Sequence, residues 1–260
     1  MTIKLVVSDV DGTLVRKDKS LSPQVIAAVH RLRAAGIPFT LISARPVSGV
    51  MPLIAPLDID IPVAAVNGGI IFRPDGSVMS EHRVDPVAVA GIFALAEGLA
   101  VDRWIFADNR WYASSETGGH VTSERVSSNQ SPVLRHDFSD LYDRADKVTF
   151  VSDDPPLLKG LAERAVTAFG TRATIGQSHT YYLDVTDAAA NKGDGVAELA
   201  RVLGVDLSEI AVMGDMDNDV AMFRRAGLSV AMGQAPDAVK AEADYVSSSN
   251  QEDEIGRAHV

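Results

Sequence analysis

The feature that most constrains this chain is a rhythm of short apolar runs, each stopping abruptly at a polar cluster and each separated from the next by a stretch with helical periodicity. Residues 3–8 run into Asp9-Val10-Asp11-Gly12-Thr13, 39–42 into Ser43-Ala44-Arg45, 63–66 into Asn67-Gly68-Gly69, and 210–213 into Gly214-Asp215-Met216-Asp217-Asn218-Asp219. Runs without polar alternation mark strands buried on both faces, as in parallel sheets. The segment after the first strand reads as a helix. Ser22 fits its N-cap, Pro23 its first position, Val25, Ile26, Val29 and Leu32 its apolar stripe, and Gly36 its end. Strands alternating with helices predict βαβ units, whose ligands collect beyond the carboxyl ends of the strands.

The rhythm breaks over 84–187, where a helix at 86–99, a strand pair near 103–107 and 111–114, mixed polar sequence, a helix at 156–169 and a strand at 181–185 are expected. It resumes after Asn191-Lys192-Gly193 with a helix at 196–203, a strand at 210–213, a helix at 220–225 and strands at 228–231 and 244–246. The expectation is an α/β fold: a Rossmann-like, doubly wound parallel-sheet core from 1–83 and 188–260, carrying an inserted α+β cap domain at 84–187. Trp104 and Trp111 fall in the insertion and are expected to pack its interior rather than stack on a ligand.

Composition narrows the functional classes. There is no cysteine among the 260 residues, which removes disulfides, thiolate metal sites and cysteine nucleophiles. Lys and Arg number 24 against 35 Asp and Glu, a net charge of −11, which argues against nucleic acid or an anionic membrane as partner. No apolar run approaches the roughly 18 residues of a membrane span, and the first residues turn polar too early for a secretion signal. A cytoplasmic protein is expected.

The polar clusters carry the chemistry. Asp9 and Asp11, two apart at a strand end, suit a nucleophile and an acid able to handle the leaving-group proton in phosphoryl transfer. An Asx turn is the bland alternative. Asp215, Asp217 and Asp219 repel one another unless a cation gathers them, and an oxygen-rich set without histidine or cysteine suits magnesium. Asp219 is also the expected cap of the helix that follows. Lys192 opens a helix, where its charge opposes the dipole, and that misfit points to function. Arg45 is equally a salt-bridge partner for the acids or a phosphate ligand.

With these residues in view the sequence resembles the haloacid dehalogenase superfamily, and within it the Cof-like phosphatase branch with a type IIB cap. Only a loop and one helix separate Asp11 from Ser43, so the cap would lie between Ser43 and Lys192. The resemblance implies Asp9 as nucleophile, Asp11 as general acid and base, Ser43 as the hydroxyl on the phosphoryl group and Lys192 as its cation. It implies Mg2+ held by Asp9, Asp11 through its carbonyl, Asp215 and Asp219, with Gly12, Thr13, Arg45, Asn67, Gly68 and Asn218 contacting phosphate or substrate. Departures are Ser43-Ala44-Arg45 in place of the branch's Thr-Gly-Arg, Gly233-Gln234-Ala235 in place of Gly-Asn-Ala, and an altered ending at Asp253-Glu254-Ile255; neither of the last two is given a role. The implied activity is magnesium-dependent hydrolysis of a small phosphorylated metabolite, a sugar phosphate for example, through an aspartyl-phosphate. The partners implied are that metabolite alone, with no nucleic acid or membrane, and a monomer or homodimer. Phosphoglycolate phosphatase and phosphomannomutase-like phosphotransferase are alternatives. A phosphoaspartate receiver module, about half this length and without an insertion, is the non-enzyme rival.

Overall fold

The computed structural model describes residues 2–251, so the altered ending at 253–255 lies outside the described residues. The first part of the chain forms β1 (Leu5–Ser8), α1 (Pro23–Ala34), β2 (Phe39–Leu41), α2 (Val47–Ile54), β3 (Val63–Ala65), β4 (Ile70–Phe72) and β5 (Val78–Glu81). The insertion forms α3 (Pro86–Leu95), β6 (Asp102–Ala107), β7 (Arg110–Ala113), α4 (Val121–Ser128), β8 (Val133–Leu134), β9 (Ala145–Val151), α5 (Pro155–Phe169), β10 (Ala173–His179) and β11 (Tyr182–Asp187). The chain then returns as α6 (Lys192–Leu203), β12 (Ile210–Gly214), α7 (Val220–Phe223), β13 (Leu228–Ala231), α8 (Asp237–Lys240) and β14 (Tyr245–Val246).

The core sheet has the order β14-β13-β12-β1-β2, every neighbour parallel. A parallel bridge from Ile42 to Ala64 attaches β3 at the β2 edge. All four residues of β1 are buried, Val6 in the cluster that α1 and α2 cover and Leu5 and Val7 in the one that α6 and α7 cover. From β1 the chain winds outward to β2 on one side and later returns through β12 on the other. The order therefore reverses between β1 and β12, the crevice where such folds hold ligands. Ser22 caps α1 as its sequence requires, its Oγ accepting from the Val25 N–H at 3.1 Å.

The insertion builds a second sheet, β10-β11-β9-β6-β7-β8, antiparallel except for the β7–β8 pair. Period-two alternation divides its side chains. Ile105, Val148, Phe150, Leu183 and Val185 pack under α3 and α5, while Trp104, Phe106, Trp111 and Tyr182 face the other way with Val121 of α4. The two tryptophans meet edge to face with ring centroids 5.0 Å apart and are fully buried, so they pack the insertion as expected. The helix expected over 86–99 stops at Leu95, and the chain turns through Gly98 at φ +72°. The segment expected to be mixed polar sequence holds β9, a strand buried along its whole length despite Asp146, Lys147 and Thr149. α4 returns the insertion to the core: Ser48 Oγ donates to the Ser128 carbonyl at 2.6 Å, and a Cβ on Gly49 would lie 2.1 Å from the Ser127 carbonyl.

The turn after β3 depends on Gly68, at φ +95° and close enough to α6 that a Cβ would lie 2.5 Å from Gly195 Cα. The backbone angle alone would cost an alanine about 1–2 kcal/mol, and the overlap adds to it. Gly68→Ala should therefore lower the urea midpoint by more than that backbone penalty implies; an unchanged midpoint would contradict the close approach of this turn to α6.

Candidate active site

The polar ends of β1 and β12 meet at the sheet reversal. The Asp9 N–H donates to the Met213 carbonyl at 2.9 Å, locking the two loops together. Asp9 Oδ1 accepts from Lys192 Nζ at 2.5 Å, whereas Asp9 Oδ2 is buried with no hydrogen-bond partner among the described residues. Lys192 is held at the first turn of α6 because Asn191 caps it, Oδ1 accepting from the Asp194 N–H at 2.9 Å. The same ammonium donates to Asp219 Oδ1 at 2.5 Å. Asp219 does not cap the helix after it, contrary to the expectation from sequence. Its Oδ2 reaches back to the N–H groups of Asp215 at 2.8 Å and Met216 at 2.9 Å, because the loop makes a tight turn over 217–219 before α7. Asp215 accepts longer bonds from Thr13 Oγ1 at 3.4 Å and Gln234 Nε2 at 3.5 Å. Gly12, at φ +84°, passes so near that a Cβ would lie 2.2 Å from Asp215 Oδ2.

Arg45 resolves as an ion-pair partner. Its Nε and Nη2 grip Asp11 Oδ2 and Oδ1 at 2.6 and 2.8 Å, Lys19 Nζ adds a third contact at 2.7 Å, and Arg45 Nη1 donates to the Gly49 carbonyl. Ser43 is buried at the end of β2, its Oγ accepting from the Arg45 N–H at 3.1 Å. Asp9, Asp11, Gly12, Ser43, Arg45, Lys192, Asp215, Asn218 and Asp219 line one cleft of about 260 Å³. Thr13, Asn67 and Gly68 are set behind that lining. Asn67, at φ +55°, donates its N–H to the Ser43 carbonyl and accepts from Asn218 Nδ2 at 3.3 Å, so it braces two lining residues.

The insertion supplies the opposite wall, including Glu124, Lys147, His179 and Tyr181, none of which the sequence marked as part of a site. Nor did it mark Lys19, whose backbone takes φ +67° to bring its ammonium to Asp11, or Gln234, which bonds the Gly12 carbonyl beside Asp215. Gln234 stands at one of the family departures, and that was its only signal.

A family model described as haloacid dehalogenase-like hydrolase matches residues 6–258. The chain belongs to the haloacid dehalogenase-like hydrolase family. It is 26% identical over 269 residues to the pyridoxal phosphate phosphatase of Escherichia coli, covering 99% of this chain and 97% of that one. A haloacid dehalogenase-like hydrolase from Bacteroides thetaiotaomicron superposes with a TM-score of 0.86 at 25% identity, covering 99% and 98% of the two chains. A sugar phosphatase of haloacid dehalogenase subclass IIB superposes with a TM-score of 0.84 at 25% identity, covering 98% and 97%. The protein is thus an enzyme of the haloacid dehalogenase phosphatase type with a subclass IIB fold, which removes the receiver-module reading.

In this hydrolase the charges explain the donor set. Ligand oxygens of Asp9, Asp215 and Asp219 lie within 4.8 Å of one another, and the ammonium of Lys192 pairs with Asp9 and Asp219 but not with Asp215, a deficit that a divalent cation would balance. The unpartnered Asp9 Oδ2 and the loosely bonded Asp215 carboxylate are hard oxygen donors that fit such an ion. Burial pushes Asp9 up to about 8, with Lys192 opposing and Asp219 and Asp215 adding to the rise. Burial and Asp219 push Asp215 up to about 6. Asp11 goes the other way: burial resists, but Arg45 and Lys19 hold it well below the usual carboxylate range.

These opposite directions fix a pH dependence. A carboxyl whose folded pKa is raised stabilises the fold below its unfolded value and loses that contribution as pH rises through the folded one. For Asp9 the window runs from 3.8 to about 8, and Asp11, depressed, changes only below it. In chelator, wild type should lose stability relative to Asp9→Asn between about pH 5 and about pH 8; Glu124 and Asp146, each raised to about 7, are common to both proteins and cancel. Parallel stability profiles for the two proteins, measured by denaturant titration, would contradict this.

Proposed function

We propose that the protein is a magnesium-dependent phosphomonoesterase acting on a small phosphorylated metabolite, a sugar phosphate, through an aspartyl-phosphate on Asp9. The observation that carries this reading is the Asp9 carboxylate: one oxygen is held by Lys192 and the other is buried at the cleft wall without a partner among the described residues. The sugar phosphatase and the pyridoxal phosphate phosphatase that the chain resembles support a small phosphate ester as substrate. In this reading residues 1–83 and 188–260 are the catalytic core and 84–187 the cap, with hinges near Val84 and Asp187.

The Asp9 carboxylate attacks phosphorus in line, and the bond to the leaving oxygen breaks. Asp11 gives that oxygen a proton, then takes one from the water that attacks the aspartyl-phosphate and frees Asp9. Lys192 and Ser43 bind the equatorial phosphoryl oxygens, and Lys192 offsets their charge. Magnesium, held by Asp9, the Asp11 carbonyl and Asp215 beside Asp219, would supply Lewis-acid stabilisation of the phosphoryl charge. Asn218 borders that site, Gly12 and Thr13 shape the loop, and Asn67 and Gly68 brace Ser43 and α6. Asp11 gripped by Arg45 and Lys19 is in its ionised, proton-accepting state; to donate, it must first be released. The phosphate of an arriving substrate competes for the same guanidinium and ammonium N–H groups, and Arg45 turning to it frees Asp11 to take up a proton.

With magnesium and an aryl phosphate, Asp9→Asn should abolish measurable turnover, because the amide is isosteric but not nucleophilic. Asp11→Asn should lower it about 100- to 10,000-fold, the range typical of lost proton transfer. Wild-type turnover in the Asp9 variant would rule out the covalent route.

A further inference from the structure

The wall of the cleft opposite the catalytic acids is polar in a specific way. On the cleft-facing side of the inserted sheet, Lys147 Nζ lies 3.0 Å from Asp184 Oδ1, which also accepts from Thr149 Oγ1 at 2.8 Å. Lys147 and Asp184 are 8% and 5% exposed, and Asp184 Oδ2 is buried with no partner among the described residues. A buried ion pair of this kind is no better for stability than apolar side chains of the same volume, so the fold alone gives no reason for it. The ammonium borders the cleft, with one of its three donors committed to Asp184. On α4, Glu124 borders the same cleft, and its carboxylate makes no side-chain hydrogen bond or ion pair with another described residue.

This wall carries two carboxylates for one ammonium, so it offers no surplus positive charge to an anionic group. Of the cations that line the catalytic side, Arg45 and Lys19 are engaged by Asp11, Lys192 by Asp9 and Asp219, Arg16 is engaged as well, and Lys17 is exposed at the rim. A hydroxyl is different, because it donates to Glu124 and accepts from Lys147 at once. We infer that Glu124 and Lys147 read the leaving group, selecting phosphomonoesters of uncharged polyols and rejecting those whose leaving group carries a second negative charge. This inference rests on the phosphatase reading above. Asp184 and Thr149 are positioning residues that aim Lys147.

The test compares kcat/KM of the full-length protein with magnesium on glucose 6-phosphate, phosphoglycolate and p-nitrophenyl phosphate, for wild type, Glu124→Gln and Glu124→Ala. Wild type should favour glucose 6-phosphate over phosphoglycolate by more than about tenfold, the effect of one unsatisfied buried polar contact. Both variants should lower the ratio of glucose 6-phosphate to aryl phosphate about tenfold, through KM more than kcat, and narrow the gap to phosphoglycolate. A double variant, Lys147→Met with Asp184→Asn, leaves no buried carboxylate unpaired and should shift the same ratio. Aryl phosphate turnover with ratios unchanged in all variants, an equal fall on all three substrates, or a wild-type preference for phosphoglycolate would overturn this inference alone. Absence of wild-type turnover on every ester would overturn the phosphatase reading and this inference with it.

Discussion

An ammonium buried between two carboxylates organises the working end of this molecule. Lys192 donates to Asp9 and Asp219 at 2.5 Å each, and Asp9 and Lys192 are 183 residues apart in the chain. A buried charge is tolerated only when paired and hydrogen-bonded, and removing one partner of such a pair typically costs about 3–5 kcal/mol. The ends of β1, β12 and α6 must therefore converge on one point, and the insertion must leave and re-enter the core without disturbing them. The Asn191 cap at the re-entry and the glycine contact between Gly68 and Gly195 fix α6 at that point. Asp219 completes the arrangement by tying the β12 loop to the same lysine through the amides of Asp215 and Met216.

Around that lysine the two parts of the chain divide the labour by charge. The core side is short of positive charge, with three clustered carboxylates of which two hold the ammonium of Lys192, which suits a divalent cation and a phosphoryl group arriving together. The inserted side has no positive charge to spare, Lys147 being answered by Asp184 with Glu124 on the same wall. On the proposed reading, one wall meets the phosphate with its metal and the other the neutral remainder of the substrate. The contact of α4 with α2, where Gly49 lets the Ser127 carbonyl approach, brings the two walls face to face.

Much of the core was legible in the sequence because its strands are buried on both faces, and an uninterrupted apolar run ending in acids suits little besides a parallel strand that opens onto a polar crevice. The positions of Asp9, Ser43, Lys192 and Asp215 at the strand and helix ends follow from that pattern. The insertion was less legible for a physical reason: β9 carries Lys147 at the cleft, Thr149 two residues on, and Asp146 near Arg83, so no apolar run marks it, and α4 begins and ends in serine- and threonine-rich sequence. Polarity that serves a cleft looks like a loop when only periodicity is read. Of the grip on Asp11, the Arg45 pairing was one of two readings the sequence left open, and the Lys19 contact was hidden because it depends on an unusual backbone angle. Asp219 was placed in the right loop and given the wrong direction, because a reach back to Asp215 and a cap on the next helix use the same residue at the same position.

The claim on which the rest depends is that the acids around Lys192 form a cation site, and a magnesium melting series on wild type and Asp215→Asn tests it most directly. At a hundred times its dissociation constant, magnesium should stabilise wild type by about 2.7 kcal/mol, provided the unfolded chain does not bind it. Asp215→Asn should show a much smaller shift, and a higher melting temperature than wild type in chelator because one repelling charge is gone. An equal magnesium shift in both proteins would take Asp215 out of the site and contradict the account.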